Sequence, residues 1–187
     1  MQTACPVPAL VGELKLESQW EAPVIEGGGV FPVRVLFLCT GNSCRSQMAE
    51  GLLRYLGGVA VEATSAGMHP KPVHPGAVRC MAEIGVDISS QRSKSVEPFL
   101  AERFGYVITL CDSAKESCPV MAGAQEQLHW SLPDPAAAEG SDEEKMQVFR
   151  GVRGELTRRI DSLLAGILDR FLAHMAAKTK ISAAPNA

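Results

Sequence analysis

The sequence predicts an α/β fold, a four-stranded parallel sheet with helices on both faces. Three observations carry that prediction. Short runs of β-forming residues alternate with stretches whose apolar residues recur at helical spacing. Each strand-like run ends in small or turn-forming residues. The length of 187 residues, 46% of them hydrophobic, supports one domain with a full core and short appendages. The same composition excludes several classes. The net charge of −3 is too small, and the apolar fraction too high, for a disordered chain. No apolar run approaches the length of a membrane span. A mildly acidic balance argues against nucleic-acid binding by bulk charge.

In chain order, residues 1–30 read as an N-terminal extension, either loosely ordered or docked as a strap. They hold Pro6, Pro8, Pro23 and Gly27-Gly28-Gly29, with four glutamates against Lys15. Val33–Cys39 is a β-forming run bounded by Pro32 and Gly41-Asn42, as a buried parallel strand should be. Residues 44–57 carry Met48, Leu52, Tyr55 and Leu56 at helical spacing and end in Gly57-Gly58. Val59–Thr64 reads as the second strand. His74-Pro75 opens a helix closed by Gly85. Gly105–Cys111 is the third strand and Gln127–Trp130 a short fourth. A long helix follows from Ser141 to about Ala176, with Ser141 and Glu144 spaced as a capping box. Phe149, Val152, Leu156, Ile160, Leu163, Ile167 and Phe171 form its apolar stripe. The domain is thus expected over 31–176, with 177–187 as a flexible tail.

The six cysteines are Cys5, Cys39, Cys44, Cys80, Cys111 and Cys118. They are too dilute for a disulfide-built mini-protein, contain no C-x-x-C pair and have no histidines at zinc-finger spacing. Met1–Leu10 lacks the charged and apolar regions of an export signal, so the expected compartment is the reducing cytoplasm.

Ligands of open parallel sheets sit at the C-terminal ends of the strands. There lies Cys39-Thr40-Gly41-Asn42-Ser43-Cys44-Arg45-Ser46. Five small intervening residues can curl so that their backbone N–H groups converge on one point, with a helix N-terminus adding positive potential. Arg45 supplies a planar donor fork suited to a tetrahedral oxyanion. The same field favours the thiolate of Cys39, and Ser46 is placed to donate a hydrogen bond to its sulfur. The outcome is an anion cradle with a nucleophile at its floor.

Two further segments leave alternatives open. Cys111 and Cys118 are either a buried strand-end thiol with an incidental surface thiol, or two members of a thiol relay beside Cys39. A disulfide between them requires the intervening segment to bend. Asp134, between Pro133 and Pro135, is either a positioned general acid or an ordinary turn residue. Cys80 is expected in the core, and Cys44 as a structural thiol of the loop.

Taken together, Val35–Gly51 around Cys39, Ser65-Ala66-Gly67, Val107–Cys111 with Cys118-Pro119, and Trp130 with Asp134-Pro135 resemble the thioredoxin-coupled arsenate reductases. These belong to the low-molecular-weight protein tyrosine phosphatase superfamily. The likeness covers roughly residues 31–175. It implies that Cys39 attacks arsenate held by Arg45 and the amides of Thr40 to Ser46, while Asp134 protonates the departing oxygen. It further implies that Cys111 and then Cys118 take over the disulfide, which thioredoxin reduces. No bound cofactor or metal is implied, and phosphate or sulfate would compete for the loop. A soluble monomer with no membrane or nucleic-acid partner is expected. Two rival functions share the motif: hydrolysis of phosphate monoesters by Cys39, Arg45 and Asp134, and non-catalytic capture of arsenite by the thiols. Some members of the family bind potassium. Asn42, Glu50 and Ser65 match that cation site, but Lys94 stands where the family has an Asp, so no potassium is expected here.

Overall fold

The computed structural model describes residues 32–111 and 121–182; Cys5, Cys118 and the whole of the expected extension over 1–30 lie outside them. Strands β1 (Val33–Cys39), β2 (Val61–Gly67), β3 (Phe104–Thr109) and β4 (Ala124–His129) form one parallel sheet in the order β2-β1-β3-β4. The α-helices are α1 (Arg45–Gly57), α2 (Pro75–Ala82) and α3 (Asp142–Ser182). Among the described residues, no helix is long and apolar enough to cross a membrane.

Strand β1 is central and buried on both faces, which is why its sequence is an apolar run rather than an alternation. Val35, Phe37 and Cys39 share a core with Met48 and Leu52 of α1, Cys80 and Met81 of α2, and Leu156 and Ile160 of α3. Leu36 and Leu38 point the other way, onto Ala66, Val96, Val107 and Met121. The described α-helices therefore pack together on one face. On the other, the described cover includes Val96 and Phe99, the latter closing a 3-10 turn (Glu97–Phe99). The methionines at helical positions, Met48, Met81 and Met146, are all core residues.

Several boundaries differ from expectation for local reasons. Strand β2 starts at Val61 because Gly58–Ala60 form a 3-10 turn, with Gly58 at φ +51° ending α1 and Val59 fully in solvent. It continues through Ser65-Ala66-Gly67, whose small side chains hide their strand character; these residues pair with Phe37, Leu38 and Cys39. Strand β3 ends at Thr109 rather than Cys111, although Leu110 still donates to the Leu38 carbonyl at 2.8 Å. Strand β4 begins at Ala124 with a largely polar sequence, as suits an edge strand with an accessible face. The capping box opens α3: Glu144 N–H donates to Ser141 Oγ at 3.3 Å and Ser141 N–H to Glu144 Oε2 at 2.7 Å. This helix continues to Ser182 rather than Ala176, through alanines and lysines of high helix propensity.

The chain leaves β1 toward β2 on one side and reaches β3 on the other. The strand order thus reverses between β1 and β3, and their C-terminal ends form the crevice where such sheets place a ligand.

Candidate active site

The β1–α1 loop occupies that crevice. Its carbonyls are tied outward: Thr40 O accepts from His69 N–H at 2.8 Å, Gly41 O from Lys71 N–H at 2.8 Å, and Ser43 O from His74 N–H at 2.9 Å. Asn42 O accepts from Ser93 Oγ at 2.6 Å and Gln47 Nε2 at 3.0 Å. Because a trans peptide points its N–H opposite to its C=O, the amides that follow these carbonyls face the interior of the loop. Asn42 N–H donates to Cys39 Sγ at 3.1 Å. The turn is bought by Asn42 at φ +45°, a left-handed conformation that Asn tolerates better than most residues. Gly67 is required beside it, since a Cβ there would lie 2.8 Å from Asn42 N and 2.9 Å from Thr40 O.

Under the loop, the bonded partners fix the orientation of the Asn42 amide and the direction of the bonds around it. Lys94 N–H donates to Asn42 Oδ1 at 2.7 Å, which identifies that atom as the amide oxygen. Asn42 Nδ2 then donates to both Ser46 Oγ and Ser65 Oγ, each at 2.8 Å. Ser46 Oγ keeps its hydrogen and one lone pair, so with Cys39 Sγ, 2.9 Å away, either atom can donate, and the hydroxyl donates to a thiolate. Ser65 Oγ likewise spends its hydrogen on Glu50 Oε2 at 2.5 Å. Asn42, Ser46, Gln47 and Ser65 are fully buried. The Asn42 amide and the Ser46 hydroxyl therefore both lie within hydrogen-bond reach of the Cys39 sulfur.

Arg45, at the first turn of α1, folds over the crevice. Its Nη1 donates to Leu132 O at 2.9 Å and its Nη2 lies 3.4 Å from Asp134 Oδ2. Its Nε is buried and makes no hydrogen bond among the described residues, a donor suited to an anion. Asp134 is a turn residue that also faces the cleft. Its Oδ1 accepts from Ala136 N–H at 3.2 Å, an ordinary Asx turn opening a 3-10 turn over Pro135–Ala137. Its carboxylate also lines the cleft and stays half in solvent.

The cleft measures about 620 Å³ and holds Cys39, Cys44, Arg45, Cys111 and Asp134. Cys111 is buried, and its Sγ lies 3.4 Å from Thr40 Oγ1. Cys44 is a different kind of thiol: burial pushes its pKa up to about 12, only partly opposed by the Ser43 hydroxyl. Cys80 lies away from the cleft in the core, as expected; burial raises its pKa too, and Arg153 Nη1 stands 3.4 Å from its sulfur. The cleft also contains Lys71 and His74, which sequence reasoning did not single out. His74 Nδ1 accepts from Gly76 N–H at 3.0 Å at the start of α2, so the neutral ring carries its proton on Nε2. The visible signal was its place directly before Pro75 at a helix start.

A cysteine loop after the first strand, an arginine closing it and an Asp-Pro turn opposite share one cleft, and residues 34–173 match the low molecular weight phosphotyrosine protein phosphatase family. The chain belongs to that family. Among curated family members, an arsenate reductase of Halalkalibacterium halodurans is 48% identical over 126 residues, 67% of this chain and 91% of that one. A solved structure of an arsenate reductase in the phosphate binding state aligns with a TM-score of 0.64 and 39% identity, covering 72% of this chain and 98% of that one. The thioredoxin-dependent arsenate reductase of Corynebacterium glutamicum aligns with a TM-score of 0.59 and 31% identity, over 74% of this chain and 63% of that one.

Proposed function

We propose that this member of the phosphatase family reduces arsenate to arsenite through a thiol relay from Cys39 to Cys111 to Cys118. The observation that carries the reading is Cys111 on the wall of the cleft that holds Cys39 and Arg45. Ester hydrolysis has no use for a second thiol there; two-electron reduction requires one.

The loop amides and Arg45 bind arsenate as they would phosphate or sulfate. Cys39 thiolate attacks arsenic, and Asp134 in its acid form gives its proton to the departing oxygen, which leaves as water. Cys111, as thiolate, then attacks the Cys39 sulfur. The S–As bond breaks with its electron pair remaining on arsenic, so As(V) becomes As(III) and two thiols become the Cys39–Cys111 disulfide. Cys118, which lies outside the described residues, attacks Cys111 and restores Cys39. The resulting Cys111–Cys118 disulfide is returned to thiols by a dithiol donor of the thioredoxin class.

Turnover of arsenate with thioredoxin, thioredoxin reductase and NADPH tests the relay. Cys39→Ser, Cys111→Ser and Cys118→Ser should all stop turnover, while Cys118→Ser still releases one equivalent of arsenite. Normal turnover by Cys118→Ser would overturn the scheme, and turnover with glutathione and glutaredoxin alone would reassign the donor. Monoester hydrolysis is a second reading, because Cys39, Arg45 and Asp134 suffice for it. Only methyl groups follow the Asp-Pro pair at Ala136-Ala137-Ala138, so no aromatic side chain there grips a phenyl ring. Hydrolysis of small esters should accordingly be slow.

A further inference from the structure

Glu50 lies under the loop with its side chain only 2% exposed, and two cations of the chain itself hold it. Lys94 Nζ is 3.2 Å from Oε2, and Arg54 Nη2 is 2.6 Å from Oε1. Oε2 also accepts from Ser65 Oγ at 2.5 Å. Lys94 is tied in twice more: its N–H donates to Asn42 Oδ1 at 2.7 Å, and its carbonyl accepts from Gly67 N–H at 2.9 Å. One residue thus touches the carboxylate, the loop Asn and the Gly against which the loop is packed.

These residues do not fit a potassium ion. The Lys94 ammonium stands on the carboxylate oxygen the ion would need, and Arg54 covers the other. Asn42 Oδ1 is committed to Lys94 N–H and to Gln47 Nε2 at 3.1 Å. A carboxylate this deep requires a counter-charge, because an unpaired one loses its hydration without compensation. We propose that Lys94, backed by Arg54, is a built-in cation: a positioning residue that holds the oxyanion loop in shape and makes it indifferent to the monovalent cations of the medium. The coupling runs through hydrogen-bond direction. With its charge balanced, Glu50 accepts from Ser65, Ser65 Oγ accepts from Asn42, and Asn42 bridges to Ser46 beneath Cys39. Losing the ammonium removes the partner that anchors the far end of this chain.

The inference rests on the loop as an oxyanion site but on no step of the relay, so its test uses inorganic phosphate and no turnover. Melting temperature and phosphate affinity are measured in potassium, sodium and choline chloride at equal ionic strength. The wild-type protein should give the same values in all three salts. Lys94→Arg should keep both properties. Lys94→Met should weaken phosphate binding roughly ten-fold, equally in each salt, as expected when an outer partner of a binding group is lost. Lys94→Asp sets a second carboxylate beside Glu50, oxygen ligands suited to a hard cation. Its melting temperature should therefore rise in potassium or sodium relative to choline. Stabilisation of the wild type by potassium over sodium and choline would overturn the proposal. So would unchanged phosphate affinity in Lys94→Met, or a Lys94→Asp protein blind to the cation. Should Lys94→Met not fold, the wild-type salt comparison and Lys94→Arg still decide.

Discussion

Beneath the β1–α1 loop, Asn42, Ser46, Ser65 and Glu50 are buried, and their donors run in a chain to the Cys39 sulfur. Between α2 and α3, charged side chains form a lattice at the surface instead. Glu83 pairs with Arg150 at 2.7 Å and Arg153 at 2.9 Å, Arg150 also meets Glu143 at 2.5 Å, and Arg79 meets Asp142 at 2.9 Å. Both networks are densely bonded, yet they differ in what replaces a lost member. At the surface water takes the empty place, and Glu83 holds a second arginine in reserve. Under the loop Asn42, Ser46 and Ser65 are buried away from bulk solvent, so a lost partner leaves an unsatisfied polar group and shifts the loop. Packing explains why the buried chain, and not the lattice, is tied to chemistry.

The contrast breaks most sharply at Glu50. Glu50→Leu would take the acceptor from the buried Ser65 hydroxyl and the partner from Lys94 and Arg54, which still reach solvent. It should cost ~1–3 kcal/mol of stability, read from urea denaturation. Next comes Gly67→Ala, which touches no charge at all. Its Cβ would press on Asn42 and the Thr40 carbonyl, backbone that cannot turn aside. Turnover should fall about 100-fold, the consequence of displacing a reacting group by roughly 1 Å. The melting temperature should change far less than in Glu50→Leu. A Gly67→Ala enzyme of normal activity would show the loop to be softer than its anchors imply.

The smallest effect belongs to the lattice. Hydrogen bonds from Arg150 and Arg153 lower the Glu83 carboxyl from its ordinary 4.5 to about 2. A group depressed on folding contributes stability above its unfolded value, and that contribution is lost as pH falls through the folded one. Glu83→Gln should therefore differ slightly from wild type above pH 5 in pH-dependent melting, and converge on it only as pH falls to about 2 and below. A large difference at neutral pH would erase the distinction between the two networks.

Much of this was legible in the residues. The apolar run of β1, the capping box of α3 and the small-residue loop ending in Arg45 announce themselves, because each is a local pattern with a local cause. Ser65-Ala66-Gly67 could not be read as strand, since these residues are chosen for what passes above them rather than for β propensity. Strand β4 hid behind its polar edge composition, and only its last residues looked like a strand. Lys94 was visible only as a departure from a family pattern. Its ion pair with Glu50 spans 44 positions of sequence, and the Arg54 partner gave no signal beyond its i,i+4 spacing. Arg45 and Asp134 were legible as residue types, but the Leu132 carbonyl that steers the arginine carries no side-chain signature.

The raised pKa of Cys44 has a consequence for traffic among the thiols. Exchange proceeds through thiolates, and a thiol with a pKa near 12 is ionised in roughly one molecule in 10⁵ at pH 7. Cys44 sits in the same cleft as Cys39 and is far closer in sequence than Cys111. Were it readily ionised, it would compete for any bond formed on the Cys39 sulfur and trap the enzyme in a cross-link across its own anion loop. Burial disfavours that side road, so in the proposed relay fidelity would come from desolvating a neighbour rather than from removing it.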